Sequence, residues 1–180
     1  FMFSLSSQAQ SINYGLSLGA NFAKISGVGI QNTYNAGWFI GGFARIPLQN
    51  KWNIQPGLVY NYINSNSNSE FINAYNVNGN PNASNQIKLS YLSLLVLVGY
   101  KISKLFTVDA GPRYSFLLYD NENLIIANKA GAFKDSDLGV EGGVQLNLAN
   151  IRFFASYVVG VTNTNDIDAR YKWYSRQALL

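Results

Sequence analysis

The segment INYGLSLGANF, residues 12–22, alternates without a break between apolar residues and small or polar ones. Apolar side chains from Ile12 to Phe22 occupy the even positions, and glycine, serine and asparagine occupy the odd ones. Successive side chains of a β-strand point to opposite faces, so this segment is predicted to be a strand with one continuous apolar face. Its length is that of a strand that crosses a membrane, which takes about 9–11 residues.

The same alternation recurs along the chain and predicts eight strands. They are expected at residues 12–22, 36–48, 52–63, 87–102, 106–118, 135–148, 151–162 and 171–180. The facing of residues 87–102 is ambiguous because the segment is apolar almost throughout, although Ser93, Gly99 and Lys101 favour odd positions inside. The predicted connections alternate between long and short, as in outer-membrane barrels with short periplasmic turns and longer extracellular loops. We therefore predict an all-β protein, an eight-stranded antiparallel up-and-down transmembrane β-barrel.

The composition agrees with a strand-built membrane protein. Charged residues make up only 12% of the 180 residues, whereas an ordinary soluble domain has roughly 25%. Aromatic residues reach 14%, which suits girdles at the two membrane interfaces. The sequence has no run of about 18 apolar residues that would form a transmembrane helix. We expect an outer-membrane location, with outer-membrane lipids around the barrel.

The chemistry available to the chain is narrow. It contains no cysteine, so it has no thiolate metal site and no disulfide. It also contains no histidine, which is the commonest general base in enzymes. Its net charge of +4 is small, and the Lys and Arg residues are dispersed, which disfavours nucleic acid as a partner. The prediction is a protein that is not an enzyme and carries no cofactor.

The amino-terminal residues are typical of the end of a secretory signal peptide. Residues 1–5 are apolar apart from Ser4, and small residues at Ser7 and Ala9 precede Gln10 at the positions that a signal peptidase requires. We expect residues 1–9 to be a signal-peptide remnant and residues 10–180 to be the barrel. The alternative is a short extra strand or a disordered end.

Seven polar residues fall on the predicted inward face. They are Arg45, Lys101, Asp109, Arg113, Glu141, Gln145 and Arg152. An eight-stranded barrel is just wide enough for side chains to fill its interior, and buried charges must be paired. The prediction is a structural network of ion pairs and hydrogen bonds in the lumen. The alternative, Asp109 and Glu141 as the paired carboxylates of a hydrolase, is disfavoured because arginines occupy the same face.

Five segments together resemble the PorT-type family of small outer-membrane β-barrel proteins of Bacteroidota. They are GLSLGANFAKISG (15–27), GFARIPLQNKWNIQPGLVY (42–60), LSYLSLLVLVGYK (89–101), FTVDAGPRYSFLL (106–118) and DLGVEGGVQL (137–146). The resemblance implies an eight-stranded outer-membrane barrel and no particular activity. Gly57 stands where the family often has Glu, so the usual internal charge pairing is not expected in full. Leu95 stands where the family often has Pro. The family also continues beyond the position of Leu180 to a terminal aromatic, so the last strand is expected to be incomplete.

Two functions from different classes follow from these observations. The first is a non-enzymatic accessory or structural subunit of a larger outer-membrane assembly, which would have other outer-membrane proteins as partners. Gly42 and Gly142 interrupt apolar outward rows, and small residues let another membrane protein pack closely; the alternative is that they only relieve crowding or allow bending. The second function is a soluble or secreted eight-stranded barrel that binds a small apolar ligand inside, which a small, charged inner face disfavours.

Overall fold

The computed structural model describes residues 12–27, 33–66, 86–120, 134–148, 151–164 and 172–180. These residues form eight strands: β1 (Asn13–Ser26), β2 (Asn35–Pro47), β3 (Trp52–Asn66), β4 (Gln86–Lys101), β5 (Phe106–Asp120), β6 (Ser136–Leu148), β7 (Ile151–Gly160) and β8 (Tyr174–Leu179). Each strand pairs antiparallel with its neighbours in sequence, and β8 pairs with β1 to close the barrel. The predicted eight-stranded antiparallel up-and-down barrel is confirmed. No helix in the described part of the chain is long and apolar enough to cross a membrane.

Several strand ends differ from the prediction. β1 continues four residues past Phe22, to Ser26, while β8 begins only at Tyr174. The strands are joined at one end by residues 48–51, 102–105 and 149–150, and at the other by residues 27–34, 67–85, 121–135 and 161–173. In outer-membrane barrels the short turns face the periplasm, so the second end is assigned to the cell surface. The proposed signal-peptide remnant, residues 1–9, lies outside the described residues.

The two faces of each strand separate as the alternation predicts. In β1, the side chains of Leu16 and Leu18 are 86% and 76% exposed, whereas that of Asn21 is fully buried. The exposed apolar row is the surface that lipid covers, because a transmembrane barrel turns its apolar residues outward. β4 follows the same rule, since Leu95 and Leu97 are buried and the even positions between and beside them are exposed. Odd positions of β4 therefore face the lumen.

The lumen contains an apolar layer that the sequence did not indicate. Seven apolar side chains pack together inside the barrel: Phe39, Val59, Leu95, Leu97, Phe154, Val158 and Leu179. The expectation of an inner face that is only small and charged is wrong for this layer. Two of the inward aromatic rings lie over glycines, since Phe39 is the register partner of Gly19 and Phe43 that of Gly15. A Cβ on Gly19 would lie 2.8 Å from the Phe39 ring, so the ring occupies the space that the missing side chain leaves.

Candidate functional site

The first polar link across the lumen is centred on Arg45 of β2. Its Nε and Nη2 atoms donate hydrogen bonds of 3.2 and 2.9 Å to the Gln55 Oε1 atom on β3, and Nη2 also donates to the Gln145 Oε1 atom on β6. Gln145 in turn donates from Nε2 to the Asp109 Oδ2 atom on β5, at 2.6 Å. All four side chains are buried. The link therefore ties β2 and β3 to β5 and β6 through the interior.

The second link is a buried ion pair. Arg113 Nε of β5 lies 3.2 Å from Glu141 Oε2 of β6, and the two side chains are 3% and 6% exposed. The pair meets the distance of an ion pair, and within the described ranges the Nε and Nη1 atoms of Arg113 have no hydrogen-bond partner. Ser156 Oγ of β7 donates to Glu141 Oε1 at 2.9 Å. Glu141 is thus the main electrostatic partner of a guanidinium that is shielded from water.

Five of the seven residues singled out in the sequence meet in these two links. They are Arg45, Asp109, Arg113, Glu141 and Gln145. Arg152 is half-buried, and its guanidinium carbon lies 5.7 Å from the Phe43 ring centroid, the geometry of a cation–π contact. Lys101 is exposed as the last residue of β4, so the prediction that it joins a buried network is wrong. Lys101 lies at the end of its strand, outside the enclosed part of the lumen. Its ammonium group therefore remains hydrated.

Sequence reasoning missed several amides and hydroxyls that hydrogen-bond in the lumen. Asn21 Nδ2 donates to the carbonyl oxygens of Trp38 and Tyr62 at 3.3 and 3.1 Å. The hydroxyls of Ser93 and Ser115 are 2.8 Å apart. Gln55 likewise accepts from Arg45. The sequence indicated only that these residues occupy inward-facing positions of their strands. Their hydrogen-bond partners can be identified only once the strand register is known.

A cavity of about 390 Å³ lies between the apolar layer and the charged links. Its lining includes Arg113 and Glu141 as well as Leu18, Leu95 and Leu97. β8 pairs with β1 along Asn21–Ser26 and with β7 along Ser156–Val159. Two further backbone hydrogen bonds join Ala20 and Leu180. The expectation that side chains fill the lumen therefore holds for the level of the polar links but not for this part.

The polar side chains of the lumen hydrogen-bond mainly with one another. Three described carboxylates are buried in the barrel, those of Asp109, Asp137 and Glu141. Each accepts a hydrogen bond from a neighbouring side chain, and Asp109 and Glu141 lie near arginines. Within the described ranges, no three His, Cys, Asp or Glu side chains come together in a group that would hold a metal ion. The arrangement can hold strands together and block the lumen.

The polar links predict that the protein forms no stable ion-conducting pore. The Arg45, Gln55, Gln145 and Asp109 side chains cross an interior that is just wide enough for side chains. Planar-bilayer recordings of the folded protein should show no reproducible single-channel steps at moderate voltage. As a matched control, the variant with Arg45→Ala and Gln145→Ala should pass more current than the wild type. Regular steps from the wild type would contradict a blocked lumen.

The sequence matches the model of a known protein family. The family described as outer membrane protein beta-barrel domain matches residues 8–166. No curated protein sequence matches the chain at a significant level. Among solved structures, the chain is similar to Ail, the attachment invasion locus protein of Yersinia pestis, which was crystallised in complex with the heparin analogue sucrose octasulfate; the identity is 12%, the match covers 92% of this chain and 94% of that one, and the TM-score is 0.42. On the family match, which covers most of its length, this chain is an outer-membrane protein that belongs to the outer membrane protein β-barrel domain family.

Proposed function

We propose that this barrel is a non-enzymatic accessory or structural subunit of a larger outer-membrane assembly, of the PorT type. The observation that carries the proposal is the environment of the outward glycines Gly42 and Gly142. A Cβ atom on Gly42 would come no closer than 3.8 Å to any neighbour, the Gly15 carbonyl oxygen, and one on Gly142 would stay 3.8 Å from the Asp109 carbonyl oxygen. Both distances are ordinary van der Waals contacts.

The other glycines of the described ranges are different. A Cβ on any of them would lie 3.3 Å or less from a neighbouring atom, so crowding inside the wall accounts for their lack of a side chain. Crowding does not account for Gly42 and Gly142. A contact with another molecule on the outer surface of the barrel would account for these two glycines.

Both glycines form shallow places in the lipid-facing wall. Gly142 is the register partner of Ala110 and Tyr157, and Gly42 is the partner of Leu16 and Leu58. Small residues in a membrane-spanning surface let a second protein approach closely and gain van der Waals contact that lipid tails do not match. Either site would suit the wall of another outer-membrane protein.

The lumen supports the same proposal. Asp109 and Glu141 are each engaged with side chains of the barrel itself, which suits a scaffold more than a catalyst. The sequence also lacks histidine and cysteine. What the protein offers to a partner is then its wall and its loops.

Partner recovery tests the proposal. The tagged protein, purified from its native host in mild detergent after crosslinking, should bring down at least one other outer-membrane protein detectable by mass spectrometry. Gly142→Trp or Gly42→Trp should reduce that recovery, because an indole ring would hold the partner away from the wall. Strands β2 and β6 lie on opposite sides of an eight-stranded barrel, so the variant that acts identifies the docking side.

The matched control is Val96→Trp, which puts the same ring on an exposed outward position of β4, between the two sides. It should leave recovery unchanged. All variants must keep the heat-modifiable gel migration of a folded barrel. Recovery of the barrel alone, in several mild detergents and after crosslinking, would rule out the subunit role.

A ligand-binding barrel is the second candidate. The membrane location excludes the soluble or secreted form of it. The cavity of about 390 Å³, with Leu95 and Leu97 in its wall, falls within the roughly 300–1,000 Å³ of small-molecule sites. A small amphipathic molecule that co-purifies with the protein would favour this candidate over the first.

A further inference from the structure

Two cations lie side by side on the outward wall. Lys24 of β1 and Arg176 of β8 are register partners, and both occupy even positions of strands whose odd positions are inside. The Arg176 side chain is exposed and that of Lys24 is half-buried. Like charges directly opposite each other on neighbouring strands destabilise a sheet. An anion bound between the two side chains would offset this repulsion.

Tyrosines surround the two cations. The Lys24 ammonium lies 4.9 Å from the centroid of the Tyr34 ring, and the Tyr34 hydroxyl is 2.8 Å from the Tyr157 hydroxyl. Because Tyr34 precedes β2 and Tyr157 belongs to β7, this hydrogen bond spans the outward faces of β1 and β8. Tyrosine collects at the membrane–water interface of barrels. The cations thus lie at the level of lipid headgroups rather than of acyl chains.

The position along the barrel defines the leaflet. Lys24 is two residues from the end of β1 and Arg176 two residues from the start of β8, at the end that carries the long connections. That end faces the cell surface in outer-membrane barrels, so the adjacent headgroups are those of the outer leaflet.

Carboxylates of the described residues do not neutralise the pair. The ion pair found within the described ranges is Arg113 with Glu141, inside the lumen. Lys24 and Arg176 face lipid on the other side of the wall. Among the described residues, neither cation has a carboxylate within ion-pair distance.

We propose that Lys24 and Arg176 together bind a phosphate group of an anionic lipid in the outer leaflet. A guanidinium presents a planar fork of donors to phosphate oxygens, and an ammonium adds a compact charge. A phosphate held between them turns a repulsive contact into two attractive ones. The inference concerns the lipid-facing wall and does not depend on the protein being a subunit of an assembly.

Native mass spectrometry of the folded full chain tests the site. The probes are phosphorylated lipid A, the same lipid with its phosphates removed, and inorganic phosphate, each added to protein in detergent. The wild type should retain the phosphorylated lipid and not the dephosphorylated one. The double variant Lys24→Gln, Arg176→Gln should bind the phosphorylated lipid about thirtyfold more weakly, the effect expected when two cations near an anionic surface are lost.

Lys88 supplies the matched control. It is exposed at the same end of the barrel, on an even position of β4, and its register partner is Asn64 rather than a cation. Lys88→Gln should leave binding unchanged, and Lys24→Arg should retain it. Heat-modifiable migration reports that each variant is folded; should the double variant not fold, the single variant Arg176→Gln is measured, with an expected loss of about fivefold.

Four results would overturn the inference. They are unchanged binding in the double variant, equal binding of the dephosphorylated lipid, an equal loss in Lys88→Gln, and uptake of inorganic phosphate with no lipid adduct.

Discussion

Replacing Glu141 by alanine should lower the free energy of unfolding by about 3–5 kcal/mol, the usual cost of removing one partner from a buried ion pair. Arg113 would remain in the lumen with its guanidinium shielded from water, and Nη1 has no hydrogen-bond partner in the described ranges even when Glu141 is present. Most of this loss of stability would come from the unpaired charge of the Arg113 guanidinium, and less of it from the lost contact with Glu141. Denaturant unfolding of the barrel in vesicles, followed by tryptophan fluorescence or gel migration, measures it.

A double variant separates the charge from the packing. Arg113→Met with Glu141→Leu removes both charges and keeps most of the volume, so its stability should return to near that of the wild type, because apolar replacements of buried pairs are often neutral. Lys104→Ala, in the exposed turn before β5, should have no measurable effect. If Glu141→Ala were as stable as Lys104→Ala, the ion pair would not contribute to the stability of the wall.

Replacing Gly111 by alanine should prevent the barrel from reaching its folded form, or destabilise it by more than about 3 kcal/mol, the upper range of overpacking. A Cβ there would overlap the Val96 carbonyl oxygen and lie 2.9 Å from the Val96 carbonyl carbon and 3.0 Å from the Leu97 Cα atom. These are backbone atoms of β4, and they cannot rotate away as a side chain could. The two strands would have to separate along the interface between β4 and β5.

The control for this prediction is Gly142→Ala, on the neighbouring strand. Its Cβ would meet nothing closer than 3.8 Å, so the free energy of unfolding should stay within about 0.5 kcal/mol of the wild type, as for an ordinary surface substitution. Refolding yield from urea into detergent, read by heat-modifiable migration, distinguishes the two variants. Normal folding of Gly111→Ala would show that β4 and β5 have more freedom than their contact suggests.

Much of the barrel follows from alternation alone. In β1 the residues from Tyr14 to Phe22 alternate between more and less exposed as their polarity predicts, because lipid outside and a narrow interior impose opposite demands on neighbouring residues. β4 gives a weaker signal, since Leu94 and Leu95 are equally apolar but one is exposed and the other buried. There the pattern cannot tell an apolar layer of the lumen from the lipid-facing wall.

The site was predictable only as a set of residues, and not as a set of contacts. Arginines and carboxylates on inward rows had to meet somewhere in so narrow an interior, and those of Arg113 and Glu141 do. Gln55 and Phe39 were missed because neither carries a charge and each acquires its place from a partner on another strand. The Phe39 ring fills the space over Gly19, a relation that appears only when the register is known.

β4, apolar on both faces, also bears on the route by which the protein reaches its membrane. A protein bound for the outer membrane has to pass the inner membrane without being retained as a transmembrane helix, which takes about 17–25 predominantly apolar residues. The apolar run of β4 is bounded by Lys88 and Lys101 and contains Ser90 and Ser93. Charged residues oppose insertion of a helix, so the two lysines keep the run below that length. The run between Lys88 and Lys101 is therefore too short to be retained in the inner membrane as a helix.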